Sequence, residues 1–125
     1  MRYAIGIDLG GTSIKYALVD KAGNSFFEGK LPSFASVSAA KVMEQLIKAA
    51  TLLKDEAAKL NWTVLGIGLG TPGIVDETNR IVLGGAENII GWENIDVASL
   101  MEKQMSLPVV VGNDANLMGL GETMY

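Results

Sequence analysis

The sequence of 125 residues predicts an α/β domain built on a mixed sheet of about five strands. Three short apolar runs separated by turn residues open the chain, which is typical of an antiparallel meander. A helical period then covers residues 38–60, and another apolar strand follows it. Because a strand after a long helix favours a right-handed crossover to a parallel neighbour, the sheet should combine both kinds of pairing.

The composition is that of a globular domain with its own core. An apolar share of 49% excludes disorder, and the net charge of −4 without a Lys/Arg cluster argues against a direct nucleic-acid partner. The absence of cysteine excludes disulfides and cysteine–zinc sites. No long uncharged apolar run predicts a membrane helix, and the start lacks a signal-peptide pattern. We therefore expect a cytoplasmic protein that does not bind a membrane.

The first two predicted strands, residues 3–9 and 12–19, enclose a short polar loop. Gly10 and Gly11 are typical of a two-residue hairpin turn in which both central residues have positive φ. Consecutive N–H groups in such a turn can hold an anion, and Thr12 adds a hydroxyl donor. Asp8, at the end of the strand, is well placed for a hydrated Mg²⁺. The alternative is a plain hairpin whose turn is capped by Asp8.

The next elements are a third antiparallel strand and a long helix. The strand is predicted over residues 25–30 and ends before Pro32. Ser38 is a suitable N-cap for the helix. The apolar positions of the helix share one side at three- and four-residue spacings; they are Val42, Leu46, Ala49, Ala50, Leu53 and Ala57.

A fourth strand is predicted over residues 64–70 and is broken at its carboxyl end by Thr71-Pro72-Gly73. Ligands bind at that end in open α/β sheets. Gly73 therefore either completes an ordinary β-turn or offers a backbone wall to a ligand. Residues 74–76 and 80–83 should form a small hairpin. Asn88, in the loop that follows, is either a turn residue, which we favour, or a ligand contact.

The last predicted elements are a short helix, a fifth strand and a final helix. Asp96 should cap the short helix, which runs to Met105 with Val97, Leu100 and Met101 facing inward. The strand covers residues 108–112, and the final helix covers residues 115–124. Because no Gly or Pro stop signal precedes Tyr125, we expect the natural chain to continue.

Asn113 and Asp114 stand between the fifth strand and the final helix. A carboxylate at a helix N-terminus is favoured in its ionised form. An ionised Asp can take the proton of an alcohol as the alcohol attacks phosphorus. Asn113 can both donate and accept hydrogen bonds, as a sugar hydroxyl requires. The alternative is that Asp114 is an ordinary helix cap.

Together these motifs carry a family resemblance. The chain contains, in order, Asp8-Leu9-Gly10-Gly11-Thr12, Gly68-Leu69-Gly70-Thr71-Pro72-Gly73, Asn88 with Gly91-Trp92, Gly112-Asn113-Asp114-Ala115-Asn116, and Gly119-Leu120-Gly121-Glu122. This set resembles the N-terminal domain of the ROK family (repressor, open reading frame, kinase), which includes bacterial glucokinases and N-acetylhexosamine kinases. The resemblance covers essentially the whole chain.

The resemblance implies a ribonuclease-H-like domain of the actin-like ATPase superfamily. It also implies ATP-dependent phosphorylation of a hexose or N-acetylhexosamine hydroxyl by the full-length protein. In that interpretation the ATP phosphates face Asp8, Gly10, Gly11 and Thr12, with Asp8 acting through Mg²⁺-bound water. Asp114 is then the catalytic base, and Asn113, Gly73 and Asn88 are the candidate sugar contacts.

The resemblance also sets an expectation for domain organisation. Residues 1–125 correspond to the N-terminal domain. ROK proteins have a second domain with the other phosphate loop, the adenosine pocket, a Glu and a His for the sugar, and commonly a zinc site. None of these is present in this sequence, so we expect the isolated chain to be inactive. We expect the full-length protein to form a homodimer.

Two other functions remain open. A ROK transcriptional regulator would sense sugar without phosphorylating it. Such regulators usually carry a winged helix-turn-helix before this domain, whereas this chain begins at the first strand and keeps both Asp8 and Asp114. Those features favour the kinase. An actin-like ATPase without a sugar substrate is disfavoured by Asn113-Asp114. The identity of the sugar is not predicted.

Overall fold

The computed structural model describes residues 2–71, 74–76, 81–84 and 96–113, the backbone alone at 74–76, 81–84 and 113. Seven strands and two helices lie in these ranges. In chain order they are β1 (Arg2–Leu9), β2 (Ser13–Asp20), β3 (Ser25–Pro32), α1 (Ala39–Lys59), β4 (Thr63–Thr71), β5 (Ile74–Asp76), β6 (Ile81–Gly84), α2 (Val97–Met105) and β7 (Val109–Asn113).

Five strands form a mixed sheet in the order β3-β2-β1-β4-β7. The first three strands make the predicted antiparallel meander, and β1, β4 and β7 run parallel to one another. The predicted small hairpin is also present, as the antiparallel pair β5–β6. The predicted fold class and the order of the elements as far as β7 are therefore confirmed, whereas the final helix predicted over residues 115–124 lies outside the described residues.

The core lies between one face of this sheet and the two helices. We call this the helix face. In β1 its residues are Tyr3, Ile5, Ile7 and Leu9, and α1 contacts β1 to β4. The side chains of the residues that alternate with these positions lie on the opposite face of the sheet. That face is covered as well, because Ala4, Ala17 and Val19 are fully buried.

Helix α1 follows its sequence pattern closely. Ser38 is its N-cap, and the hydroxyl of Ser38 accepts a hydrogen bond from the Lys41 N–H at 3.2 Å. All six predicted inward residues are buried, and Gln45 is buried with them. Although α1 is long, no helix in the described ranges is apolar enough to cross a membrane.

Helix α2 departs from its prediction at one position. Asp96 caps it as expected, accepting from the Ser99 N–H at 3.1 Å. The buried side is formed by Val97, Ala98, Met101 and Met105. Leu100 is 46% exposed, so the prediction that it faces inward is wrong. The core covers one side of this helix, and Leu100 lies outside the stripe that the buried residues define.

The meander has two features that the sequence pattern did not predict. Strand β3 continues through Pro32, which a strand at the edge of a sheet tolerates because it has no ladder partner on its outer side. The register between β2 and β3 shifts between Tyr16 and Leu18, and Phe27, in the bulge, has a φ of 56°. This bulge turns β3 without breaking the sheet.

The turn between β2 and β3 was predicted from its composition and is confirmed. Gly23 has a φ of 89°, which the turn requires. The backbone N–H and the side-chain amide of Asn24 both donate to the carboxylate of Asp20, at 2.9 and 3.1 Å. These hydrogen bonds lower the pKa of Asp20.

Candidate functional site

Asp8 and the backbone of Asn113, one residue from each of the two predicted sites, lie at one edge of the sheet. The parallel strands β1, β4 and β7 all end there, and their register aligns Asp8 with Gly70 and Gly70 with Gly112. Neighbouring strands are about 4.8 Å apart, so the backbones of Asp8 and Gly112 are separated by roughly 10 Å. Asn113 follows Gly112 as the last residue of β7. Residues more than a hundred positions apart in sequence thus meet at this edge.

Asp8 belongs to the opposite face of the sheet. Its neighbours in the chain, Ile7 and Leu9, are buried in the core on the helix face, so the alternation along β1 turns Asp8 the other way. Asp8 is partly exposed to solvent. Directly across from it on β2 is Lys15. Oppositely charged residues in such a cross-strand position attract each other.

Glycines line the sheet beside Asp8 on the same face. Gly6 pairs with Gly68, and Gly70 pairs with both Asp8 and Gly112. Since Ile67 and Leu69 fill the core from the helix face, Gly68 and Gly70 leave the opposite face without side chains at the carboxyl end of β4. A group that lies against this face can therefore approach the backbone closely.

The loop between β1 and β2 differs in detail from the prediction. The last pair of the two strands is Leu9 with Ile14, and the Gly10 N–H donates to the Ser13 carbonyl at 2.8 Å. The tip is therefore Gly11 and Thr12, one residue later than expected. The predicted positive φ at Gly10 and Gly11 is wrong, since neither residue adopts it. A β-branched residue such as Thr12 disfavours positive φ, which excludes the predicted turn type at this tip.

A second segment supports the loop from behind. Ser33, directly after β3, is fully buried, and its hydroxyl donates to the Gly11 carbonyl at 3.3 Å. The Ser33 N–H donates to the Thr12 carbonyl at 3.1 Å. The sequence analysis missed Ser33 because its partners lie about twenty residues earlier in the chain. A serine after a strand carries no local sign of such a contact.

A groove lies on the outer strands β2 and β3, beside Asp8. It has a volume of about 420 Å³ and is lined by Lys15, Tyr16, Glu28, Gly29 and Lys30. Lys15 and Lys30 pair across the two strands. Lys15 therefore lies on the strand next to Asp8 and Lys30 lies one strand further out, so that two ammonium groups and the carboxylate of Glu28 line this groove.

The residues at the edge are compatible with a hydrated magnesium ion. Mg²⁺ keeps most of its waters and needs one or two protein carboxylates beside the oxygens of a phosphate. Asp8 supplies one carboxylate at a partly exposed strand end. Within the described ranges, His, Cys, Asp and Glu side chains form no cluster of three that could enclose a metal. The single carboxylate of Asp8 is compatible with a metal whose other ligands are water and phosphate oxygens.

Three of the predicted site residues, Gly73, Asn88 and Asp114, lie outside the described residues, and Asn113 is described by its backbone. The structure places the remaining four, Asp8, Gly10, Gly11 and Thr12, together at the end of β1 and in the loop that follows. Their proposed roles remain predictions.

Comparison with known proteins assigns the chain to a family. The sequence profile of the ROK family matches residues 4–125. The chain belongs to the ROK family. The resemblance inferred from its motifs is therefore confirmed.

Individual ROK relatives include both enzymes and regulators. The chain is 31% identical over 121 residues to a glucokinase of Halalkalibacterium halodurans, covering 97% of this chain and 36% of the enzyme. It is also 31% identical over 125 residues to a xylose repressor of Caldicellulosiruptor bescii, covering 97% of this chain and 30% of the repressor. The chain thus spans about a third of the length of these relatives.

Solved ROK structures share the fold. A ROK family glucokinase from Streptomyces griseus, crystallised with glucose and AMPPNP, superimposes with a TM-score of 0.78 at 31% identity. The match covers 91% of this chain and 34% of that enzyme. The mixed sheet with its flanking helices is therefore the fold of the ROK sugar kinases, an actin-like ATPase fold.

Proposed function

We propose that this chain is the N-terminal domain of an ATP-dependent sugar kinase that phosphorylates a hydroxyl of a hexose or N-acetylhexosamine. The observation that carries the proposal is the register of the parallel strands, which aligns Asp8, Gly70 and Gly112 across the sheet. This alignment supports the proposal because it brings Asp8, at the start of the candidate phosphate loop, to the same edge as the backbone of Asn113. Since ATP is the phosphoryl donor, we also propose a cytoplasmic location.

In this proposal the loop after β1 binds the phosphates of ATP. The N–H groups and the Thr12 hydroxyl donate to phosphate oxygens, and Gly10 and Gly11 leave space for them. Asp8 would hold a hydrated Mg²⁺, which would supply neutralisation of charge on the phosphates. Lys15, across from Asp8, adds a positive charge on the same face.

The sugar lies at the end of β7. Asn113 hydrogen-bonds a sugar hydroxyl, and the Gly73 backbone and Asn88 provide further contacts. The Asp114 carboxylate takes the proton of the attacking hydroxyl. The sugar oxygen bonds to the γ-phosphorus as the bond to the β–γ bridging oxygen breaks, releasing ADP. Most of the rate enhancement then comes from positioning and charge stabilisation.

A second candidate is a sugar-sensing ROK regulator without kinase activity. The similarity to a xylose repressor favours it, because the match covers as much of this chain as the match to a glucokinase. The presence of Asp114 after Gly112-Asn113 supports the kinase, since a sensor needs no base. The two functions differ in turnover, although both bind sugar.

The test is a coupled assay of ADP release by the complete gene product. Glucose, mannose, N-acetylglucosamine, N-acetylmannosamine and xylose are offered with Mg²⁺ and ATP, and sugar binding is measured separately by calorimetry. A kinase should turn over at least one sugar at roughly 1–100 s⁻¹. Sugar binding without release of ADP above the sugar-free rate would exclude the kinase and favour the regulator.

A further inference from the structure

The Ser33 side chain lies directly behind the candidate phosphate loop. The residue is fully buried, and its hydroxyl and its backbone N–H each make one hydrogen bond from the end of β3 to the loop. Its hydroxyl donates to the Gly11 carbonyl and its N–H donates to the Thr12 carbonyl, at 3.3 and 3.1 Å. The same hydroxyl accepts from the Ala35 N–H at 3.3 Å, which fixes its rotamer. Both consecutive carbonyls at the tip of the loop are therefore held by one residue.

The direction of these two carbonyls determines the direction of two N–H groups. The described chain contains no cis peptide bond, and in a trans peptide the C=O and the N–H point in opposite directions. The Gly11 carbonyl shares its peptide group with the Thr12 N–H, and the Thr12 carbonyl shares its peptide group with the Ser13 N–H. Since both carbonyls point towards Ser33, both N–H groups point away from it. Two adjacent N–H groups that point the same way form an anion-binding nest.

Helix α1 holds the segment that carries Ser33. The side-chain amide of Gln45 donates to the Pro32 carbonyl at 2.8 Å, and Gln45 is itself buried. The loop is therefore connected to the core helix through Gln45, Pro32 and Ser33. A loop fixed in this way does not need to be ordered by its ligand, and binding then costs less conformational entropy.

We propose that Ser33 is a positioning residue for the phosphate-binding loop. Its hydroxyl and its N–H hold the Gly11 and Thr12 carbonyls so that the N–H groups of Thr12 and Ser13 face the phosphates of a bound nucleotide. This inference rests on the proposed function, because it assumes that the loop binds a nucleotide. It adds a residue that does not touch the ligand and acts through the loop.

The test compares Ser33→Ala with wild type in the complete gene product, using MgADP and the sugar identified in the assay above as calorimetric probes. Alanine keeps the backbone hydrogen bond to Thr12 and removes the one to Gly11. One lost hydrogen bond should raise the Kd for MgADP about two- to tenfold and leave the Kd for the sugar unchanged. Ser36→Ala is the matched control, because Ser36 is exposed and lies three residues away. It should change neither constant.

A second variant covers the case in which Ser33→Ala does not fold. Gln45→Met removes the donor to the Pro32 carbonyl at similar side-chain volume. It should also raise the Kd for MgADP and leave the Kd for the sugar unchanged. An unchanged Kd for MgADP in Ser33→Ala, or equal losses for nucleotide and sugar, would overturn the positioning role. If the wild-type protein does not bind MgADP, the proposed function fails and the inference fails with it.

Discussion

Tyr16 and Gly29 face each other across β2 and β3, and the tyrosine ring occupies the space above the glycine. A Cβ atom added at Gly29 would lie impossibly close to the ring atoms of Tyr16. Alanine in a strand is normally more favourable than glycine by about 0.5–1 kcal/mol. Here the steric conflict should decide the sign of the change in stability, because the Tyr16 ring must leave its place over Gly29 before a Cβ atom can fit.

We therefore predict that Gly29→Ala lowers the free energy of unfolding by about 1–3 kcal/mol, the usual cost of overpacking. Urea denaturation measures this change. Glu28→Ala, at the exposed neighbouring position, is the control and should have little effect. In a Tyr16→Leu background the Gly29→Ala substitution should cost clearly less, because the conflicting ring is gone. A stabilising effect of Gly29→Ala in the wild type would contradict the packing described.

Gly11 is exposed at the tip of the loop between β1 and β2, and its φ is not positive. A side chain at this position causes no backbone strain of the kind expected from the sequence. We predict that Gly11→Val leaves the melting temperature of the protein nearly unchanged and abolishes ATP-dependent turnover, because the valine fills the space that the phosphates need. Sugar affinity should fall much less. An unchanged KM for ATP would count against the loop as a phosphate site.

Helix α1 covers the sheet and carries the largest part of the core, so its N-terminus is a sensitive point of the fold. The Ser38 hydroxyl satisfies the Lys41 N–H, one of the donors that a helix leaves unpaired at its start. We predict that Ser38→Ala destabilises the protein by about 1 kcal/mol, whereas Ser38→Asp keeps the cap and should be nearly neutral. A loss of this size lowers the melting temperature by roughly 2–5 °C. Equal melting temperatures for Ser38→Ala and wild type would show that the cap contributes nothing.

The elements were predictable because their signals are local. Apolar spacing and capping residues define α1 and α2, and breakers such as the turn at Gly23 separate the strands. The prediction that Leu100 faces inward was wrong because the spacing of apolar residues does not show how many positions around α2 the core covers. The bulge at Phe27 and the turn at Gly11–Thr12 depend on register between strands, which no single segment carries.

The candidate site, unlike the helices and strands, was predictable only in part. Asp8 and its loop were found from their motif, and the parallel pairing of β4 was expected from the crossover pattern, whereas the parallel pairing of β7 was not predicted. The contact between Ser33 and Gly11 could not be predicted, because it depends on how β3 ends against a loop about twenty residues earlier.

The chain as a whole should fold without further residues. The helix-face core is formed by α1, α2 and the five-stranded sheet, all of which belong to this sequence. We predict a cooperative thermal transition of the 125-residue chain in calorimetry. A broad transition without a heat-capacity peak would contradict a self-sufficient core.

The same chain should not phosphorylate sugar by itself. Phosphoryl transfer depends on exact positioning and on exclusion of water, and this chain spans only about a third of its ROK relatives. The coupled assay on the isolated chain, beside the complete gene product, checks this. Turnover by the isolated chain within tenfold of about 10 s⁻¹ would show that the edge of this domain is a complete active site.

The most direct test of phosphoryl transfer at this edge is the ratio of two variant rates in the complete gene product. We predict that Asp114→Asn leaves sugar binding mostly intact and lowers turnover by about 10²–10⁴-fold, the usual loss when a general base is removed. Asp55→Asn, an exposed site on α1, makes the same chemical change away from the edge and should keep the wild-type rate. Equal turnover of Asp114→Asn and Asp55→Asn would contradict a catalytic base at the end of β7.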